Sequence, residues 1–373
     1  MPDPQPSIAA VAVLCLAAFG AALHALAALR LHRHFQRTDE TEPASVPPLT
    51  LWRALKAGVP NLDWKLDALV EASRPIDQIL LGADAGSAEL AACDALRAKF
   101  TDRDITVVAC KPNCAPNPKI SKFLQMAPHA WHAHWLLTDS EALIEAQFVE
   151  GFRREWIASG ADVQSAGYRF AGLKTIPQVL DASPVLLTLW PGLMLAGRID
   201  FTLGACTGVK VADMRLIGGW NTLERELAED QRLGALLAQQ RKKIRLSRHV
   251  LTLDSDPLGW VGYLLHQHRV AVTYRVTAPA GALGLPILHT IPLAALVPVF
   301  HPPWWTWALL IFTVRIAAAS VVSRVLKFRF LLLPLTAIVS AFVETAMWIV
   351  AWFSPCVWWA GRWHRVGWRG RLT

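Results

Sequence analysis

The chain is short of charge, and of negative charge above all. Of its 373 residues only 18% are charged, and 29 Asp and Glu face 37 Lys and Arg. Ordinary soluble domains carry about 25% charged residues. Such sparse charge, beside 53% hydrophobic residues, excludes a disordered, solvating chain and points to membrane burial. Cysteine is scarce too. The six at positions 15, 93, 110, 114, 206 and 356 form no repeated CxxC pattern, which excludes a disulfide framework and a zinc site. Cys110 and Cys114, a close pair, read as ordinary loop and strand-end thiols. The net charge of +8 is accompanied by no RNP-type, finger-type or basic-helix motif, so nucleic acid is not an expected partner.

What is abundant lies at the two ends. Residues 8–31 are apolar over more than the roughly 20 residues that cross a bilayer, with His24 the one strongly polar interruption. Arg30, His32, Arg33, His34 and Arg37 cluster at the end of this run. A secretory signal carries its charge before the apolar run, so this pattern predicts an uncleaved anchor whose C-terminal side faces the cytoplasm. Residues 281–300, 304–322 and 330–353 predict three more membrane segments, separated by Pro302-Pro303 and by the basic stretch Arg324, Lys327 and Arg329. Three full crossings would leave Arg362, Arg365, Arg369 and Arg371 outside. A break at Pro334 or Pro355, making the last segment re-entrant or doubled, would bring the tail back. Nine of the 17 tryptophans lie beyond residue 300 and suit an interfacial belt. Residues 184–197 are apolar, too short to span, and interrupted by Pro191. They read either as an interfacial or re-entrant helix or as a buried core helix.

Between these ends, short β-rich runs alternate with amphipathic helical stretches, the pattern of an α/β sheet built from βαβ-type units. Strands are expected at 49–55, 78–83, 105–109, 134–138, 164–167, 203–209 and 245–252. Helices are expected at 63–73, 87–100, 118–126, 142–159, 211–217, 226–240 and 257–271. The chain thus divides into an anchor with a basic linker (1–46), a central α/β domain (47–278) and a C-terminal membrane domain (279–373).

Ligands of such sheets bind beyond the carboxyl ends of the strands. Asp84 ends QILLGAD and Asp139 ends WLLTD, so both stand where a nucleotide would lie. A turn residue and a helix cap are the alternative readings. Asp139-Ser140-Glu141 has the spacing of a DxD-like pair, which supplies carboxylates for a divalent ion and a ribose. Glu229-Asp230, in AEDQRLG, suits a general base or an ordinary acid at a helix start. His266 and Arg269, three residues apart, share a helix face that is either a diphosphate site or a solvated basic surface.

Taken together, these residues resemble the ceramide glucosyltransferases, glycosyltransferase family 21, and their bacterial relatives among the hopanoid-associated glycosyltransferases. The likeness runs from about residue 48 to 276. Arg53-Ala54-Leu55-Lys56-Ala57 stands for a Lys-Pro-Leu-Lys-Gly segment, followed by Pro60-Asn61-Leu62. Asp84 matches the first family acid, Asn117-Pro118-Lys119-Ile120 the NPK segment, and Asp139 the DSD or DSG aspartate. Asp230 falls on the base of the AED segment, and His266, Arg269 and Val270 on a (Q/R)xxRW-like element. Trp368-Arg369-Gly370-Arg371 resembles the close of the bacterial proteins.

The resemblance implies a GT-A fold and an inverting transfer from a UDP-sugar to a ceramide-, hopanoid- or other lipid-type acceptor. Asp230 would be the base, and Asp139 with Glu141 would hold Mg²⁺ or Mn²⁺. Asp84 would contact the nucleotide, while His266 and Arg269 would steady UDP or line the acceptor site. Lys119 would be a second phosphate-side cation or a structural one. The expected setting is a bacterial inner (cytoplasmic) membrane, with the catalytic domain on the cytoplasmic side and the bilayer as partner. Val270 replaces the family tryptophan, Arg53 a lysine and Ala54 a proline, and the segment at Asp84 lacks further acids. These departures keep open a second reading, a catalytically impaired GT-A-fold membrane protein that binds lipid or a partner.

Overall fold

The computed structural model describes residues 5–37, 43, 45–328 and 333–373. Arg329 and the start of the 330–353 segment lie outside them. The chain forms two compact units. One holds the described residues up to Arg37 with Leu173–Gly197 and Pro257–Trp363; the other holds the rest, ending in His364–Thr373.

The second unit is built on one eight-stranded sheet. Its strands are β1 (Leu49–Ala54), β2 (Gln78–Asp84), β3 (Asp104–Cys110), β4 (His134–Thr138), β5 (Ala142–Leu143), β6 (Val163–Ala171), β7 (Cys206–Lys210) and β8 (Ile244–Asp254). They lie in the order β3-β2-β1-β4-β7-β6-β8-β5. β1, β2, β3 and β4 run parallel; β7 is antiparallel to both β4 and β6; and β8 runs with β6. Burial on both faces explains the nearly unbroken apolar runs of β1 and β2.

Because side chains alternate along a strand, the two faces of β1 bury different partners. Leu49 and Leu51 join Leu66, Leu69, Leu96, Phe152 and Trp156 under the helices Leu62–Ala72, Ala88–Lys99 and Ala146–Ala158. Trp52 meets Trp135, Trp220 and Phe123 on the opposite face, where the helix Pro118–Met126 lies. Each such leucine, wholly buried, contributes about 1.5–3 kcal/mol. Arg153 and Asp77 form a fully buried pair, and Asp77 also accepts the Leu49 and Arg74 amides, each at 2.8 Å. That pair fixes the starts of β1 and β2.

The first unit is helical. Among the described residues, four helices are long and apolar enough to cross a membrane, Ile8–Gln36, Ile176–Ala196, Pro302–Val325 and Leu333–Ala351. A further pair, Pro279–Leu288 and Thr290–Phe300, is bent by 56°. Small residues let the first helix approach its neighbours closely. Ala17 and Ala21 pack against Ala294, Val297 and Ile311, and a Cβ on Gly20 would come within 2.2 Å of the Ile287 carbonyl.

Two expectations are corrected here. The last segment does not break at Pro334 or Pro355: Pro334 lies in the first turn of Leu333–Ala351, and Pro355 follows its end. The bend falls instead at His289, within the first of the three expected C-terminal segments, between the helices Pro279–Leu288 and Thr290–Phe300. The short stretch 184–197 belongs to a 21-residue run that begins at Ile176. A capping box at Thr175 starts that run, and a π turn at Val185–Leu189 carries it past Pro184, whose missing N–H would otherwise break it.

Candidate active site

The strand directions place Lys56, Asp84, Asp139, Gly204 and Asp254 at one edge of the sheet, beyond the ends of β1, β2, β4 and β8 and before β7. Asp139 directly follows β4, and its amide donates to the Ala205 carbonyl at 3.2 Å. Its carboxylate receives the Lys119 ammonium at 2.6 Å.

The local sequence aims that lysine. Asn117 caps the helix Pro118–Met126 by accepting the Lys119 and Ile120 amides, and Pro118 presets its first turn. The amide of the buried Asn117 side chain donates to the Glu226 carbonyl at 2.9 Å and to Glu229 Oε2 at 3.0 Å. Lys119 reaches Glu229 Oε1 at 3.3 Å as well. NPK and AED, over a hundred residues apart, are thus one network.

Asp230 lies next to it. Its Oδ2 accepts the Gly204 amide at 2.6 Å, its Oδ1 the Gln231 amide at 2.8 Å, and its carbonyl the Thr202 hydroxyl at 2.6 Å. Gly234, one turn along, lets this helix lie on the chain: a Cβ there would stand 2.3 Å from Phe201 Cα. Burial, reinforced by Glu229, pushes the Asp230 pKa up to about 7 against the pull of Lys119. Burial also raises the Asp139 pKa, with Glu141 and Glu229 adding to it. For Lys119, burial disfavours the charge but Asp139 and Glu229 outweigh it, so its pKa is raised. The network therefore favours the charged form of Lys119 and disfavours that of Asp230.

Glu141 faces a second lysine. Lys56 pairs with both Glu141 and Asp256, and Ser140 donates to Glu141 Oε2 at 2.8 Å. Burial opposes the charge of Glu141, but Lys56 prevails and the pKa is lowered. Asp84 pairs with Lys122 at 2.9 Å. Arg53 is wholly buried; its Nε donates to Thr138 at 3.4 Å, and its charge acts on Glu141 and Asp139. Among the described residues, no group of three or more His, Cys, Asp or Glu is arranged to hold a metal.

Of the residues expected from sequence, Lys119, Asp139 and Asp230 thus come together, with Glu141 two positions beyond Asp139 and Asp84 at the same sheet edge. His266 and Arg269 belong to the helical unit and find partners inside it. His266 Nδ1 lies 2.6 Å from Asp181, and Arg269 stacks 5.8 Å over the Trp359 ring. The sequence alone does not single out Lys56, Asp256, Gly204 and Asp181, which partner these residues or one another in the structure. Lys56 lay inside a segment already matched to a family motif, which was the available signal; the others reach their partners only through the fold.

The sequence model of glycosyl transferase family 21 matches residues 13–372. The chain belongs to glycosyl transferase family 21. It is a glycosyltransferase, and its mixed sheet has the GT-A fold. The structure of a mannosyltransferase, PcManGT from Pyrobaculum calidifontis in complex with GDP-Man and Mn²⁺, is similar to this family 21 transferase with a TM-score of 0.55. The two share 17% identity over 91% of this chain and 99% of that one. TarS from S. aureus matches with a TM-score of 0.39 and 13% identity, over 87% of this chain and 98% of that one. GalNAc-T7 with UDP, GalNAc and Mn²⁺ gives 0.46 and 11%, over 64% of this chain and 51% of that one. No curated protein sequence matches the family 21 transferase.

Proposed function

We propose that this chain is a membrane-bound inverting glycosyltransferase that moves a sugar from a UDP-sugar to a lipid acceptor. The observation that carries the reading is Asp230, a half-buried carboxylate held by two amides, with a pKa near 7, beside the Lys119–Asp139 pair. A base serves best when its pKa lies near the working pH. Asp230 takes the proton of the acceptor hydroxyl as its oxygen bonds to the anomeric carbon. The bond from that carbon to the diphosphate breaks on the opposite side, and UDP leaves with the electron pair. Configuration inverts because attack and departure are in line.

The donor set fits a hard divalent ion. Asp139 and Glu141 offer two carboxylates two positions apart, without a larger protein cage among the described residues; the charge of Glu141 helps to raise the Asp139 pKa, while Lys56 keeps Glu141 ionised. Mg²⁺ is commonly held by one or two carboxylates plus substrate phosphates. A bound ion would neutralise the diphosphate, and PcManGT, of the same fold, was solved with GDP-Man and Mn²⁺. Lys119 and Asp84 are the proposed nucleotide-side contacts. His266, steadied by Asp181, and Arg269 would serve the leaving UDP or the acceptor. A lipid acceptor and a cytoplasmic sheet domain, between an N-terminal anchor and C-terminal membrane helices, suit the four apolar helices and the basic residues that follow the first.

Val270, in place of the family tryptophan, favours the second reading of an impaired transferase. Detergent-purified protein, Mg²⁺ or Mn²⁺, a panel of UDP-sugars and a native lipid extract separate the two. UDP release with a mass-shifted lipid, both lost in Asp230→Asn, is the expected result. Folded protein that turns over no donor would sink the transferase reading in favour of the impaired one.

A further inference from the structure

Asp230 is the second residue of its helix, Glu229–Gln239, so its position depends on residues 224–228, a loop with little regular structure. Asn117 pins that loop on one side, taking the Glu226 carbonyl through its side chain at 2.9 Å and giving its own amide to the Glu224 carbonyl at 2.9 Å. The other side is held by residues 364–373, which lie beyond the hydrophobic helices in sequence. The Leu227 amide donates to the Gly370 carbonyl at 2.9 Å, and the Leu372 amide to the Arg225 carbonyl at 2.7 Å. Glu226 and Arg371 pair as in an antiparallel ladder, with Arg371 Nε 3.8 Å from the Glu226 carboxylate.

The tail is itself a closed hairpin. The Gly367 amide bonds the Arg371 carbonyl at 2.7 Å and the Thr373 amide the Arg365 carbonyl at 3.1 Å. Arg369 and Gly370 turn the chain through positive φ, at 58° and 84°. Leu372 is 1% exposed and Leu227 5%, so apolar burial adds to the ladder.

We infer that residues 364–373 are a positioning segment for the reaction: by adding a strand to the loop that precedes Asp230, they set that carboxylate for proton transfer. The inference rests on the reading of Asp230 as the base. A loop held by side-chain and backbone bonds on one side alone samples more conformations, and small misplacement of a reacting group can cost about a hundredfold.

The test uses the full chain in lipid nanodiscs with Leu372→Asp, which expels the tail by burying a charge, and with Leu372→Met as a volume-conserving control. Leu372→Asp is expected to lower kcat about 10- to 100-fold while the donor KM moves by less than about twofold. Amide hydrogen exchange should accelerate at residues 225–231 and in the released tail, 364–373, and nowhere else in the sheet unit. A synthetic peptide of residues 364–373, added in trans, should recover part of the lost kcat; the same peptide carrying Leu372→Asp should not. Unchanged kcat, or exchange that rises throughout the unit with no rescue by peptide, would overturn the inference. If Asp230→Asn is inactive while Leu372→Asp is fully active, the inference alone fails. An active Asp230→Asn enzyme would remove the base reading, and this inference with it.

Discussion

The two units partner their cations by different chemistry. At the sheet edge, lysines face carboxylates: Lys119 with Asp139 and Glu229, Lys56 with Glu141 and Asp256, Lys122 with Asp84. In the helical unit, arginines face main-chain carbonyls. Arg30 donates to Met194 and Leu195, Arg275 to Trp352 and Ser354, and Arg315 to Leu187 inside the π turn, at 2.8–3.4 Å. A lysine on a carboxylate can be exchanged for an incoming ion or phosphate, since both partners keep good alternatives in a ligand complex. Arg315, whose bond to the Leu187 carbonyl is buried, has no such alternative, and removing it strands an acceptor. One arrangement suits chemistry and the other suits architecture.

The sharpest break of this comparison is Asp230→Asn. It should lower kcat about 10²- to 10⁴-fold, the usual contribution of a general base, with donor affinity by calorimetry unchanged. Lys119→Met comes next, removing the cation shared by Asp139 and Glu229. Turnover should fall about 10²-fold, and unlike the first variant this one should also weaken donor binding.

The pH response is smaller. With the Asp230 pKa at about 7, kcat/KM should climb as pH rises towards that value and level off above it. A flat profile from pH 5.5 to 8.5 would exclude Asp230 as the titrating base. The sign for stability is opposite. The pKa is raised from 3.8 to about 7, so between those values the folded chain keeps a proton that the unfolded chain releases. The stability owed to this group is therefore lost as pH rises through that window. The mildest effect on turnover belongs to the helical unit. Arg315→Leu should cost about 1–3 kcal/mol in detergent unfolding, as an orphaned buried acceptor does, while kcat of the folded fraction stays at the parent value. A loss of turnover larger than the loss of folded protein would erase the distinction between the units.

Much of the sheet was legible because fully buried strands write themselves as apolar runs. β4 and the helix Pro118–Met126 fall at their expected bounds, the first from an unbroken hydrophobic stretch and the second from its Asn-Pro cap. β5 was hidden within an expected helix at 142–159: Ala142 and Leu143 favour helix locally, and only pairing with Leu253 and Thr252 makes them a strand. The antiparallel insertion of β7 leaves no local trace either, and Pro184 disguised a 21-residue helix as a short one. At the site, strand-end acids and the Asn-Pro-Lys cap pointed to Asp139, Lys119 and Asp230. The contact of Lys56 with Asp256, 200 positions apart, and the Gly204 amide on Asp230 arise from the order of strands, which composition does not encode.

The hairpin at residues 364–373 also bears on how the protein is made. A ribosome delivers those residues after every hydrophobic helix of the chain, although the strands they serve were finished long before. A nascent chain thus carries its sheet with the loop before Asp230 still clasped on one side only. On the proposed positioning role, the setting of Asp230 waits until the C-terminal helices have emerged, although the first apolar helix precedes the sheet.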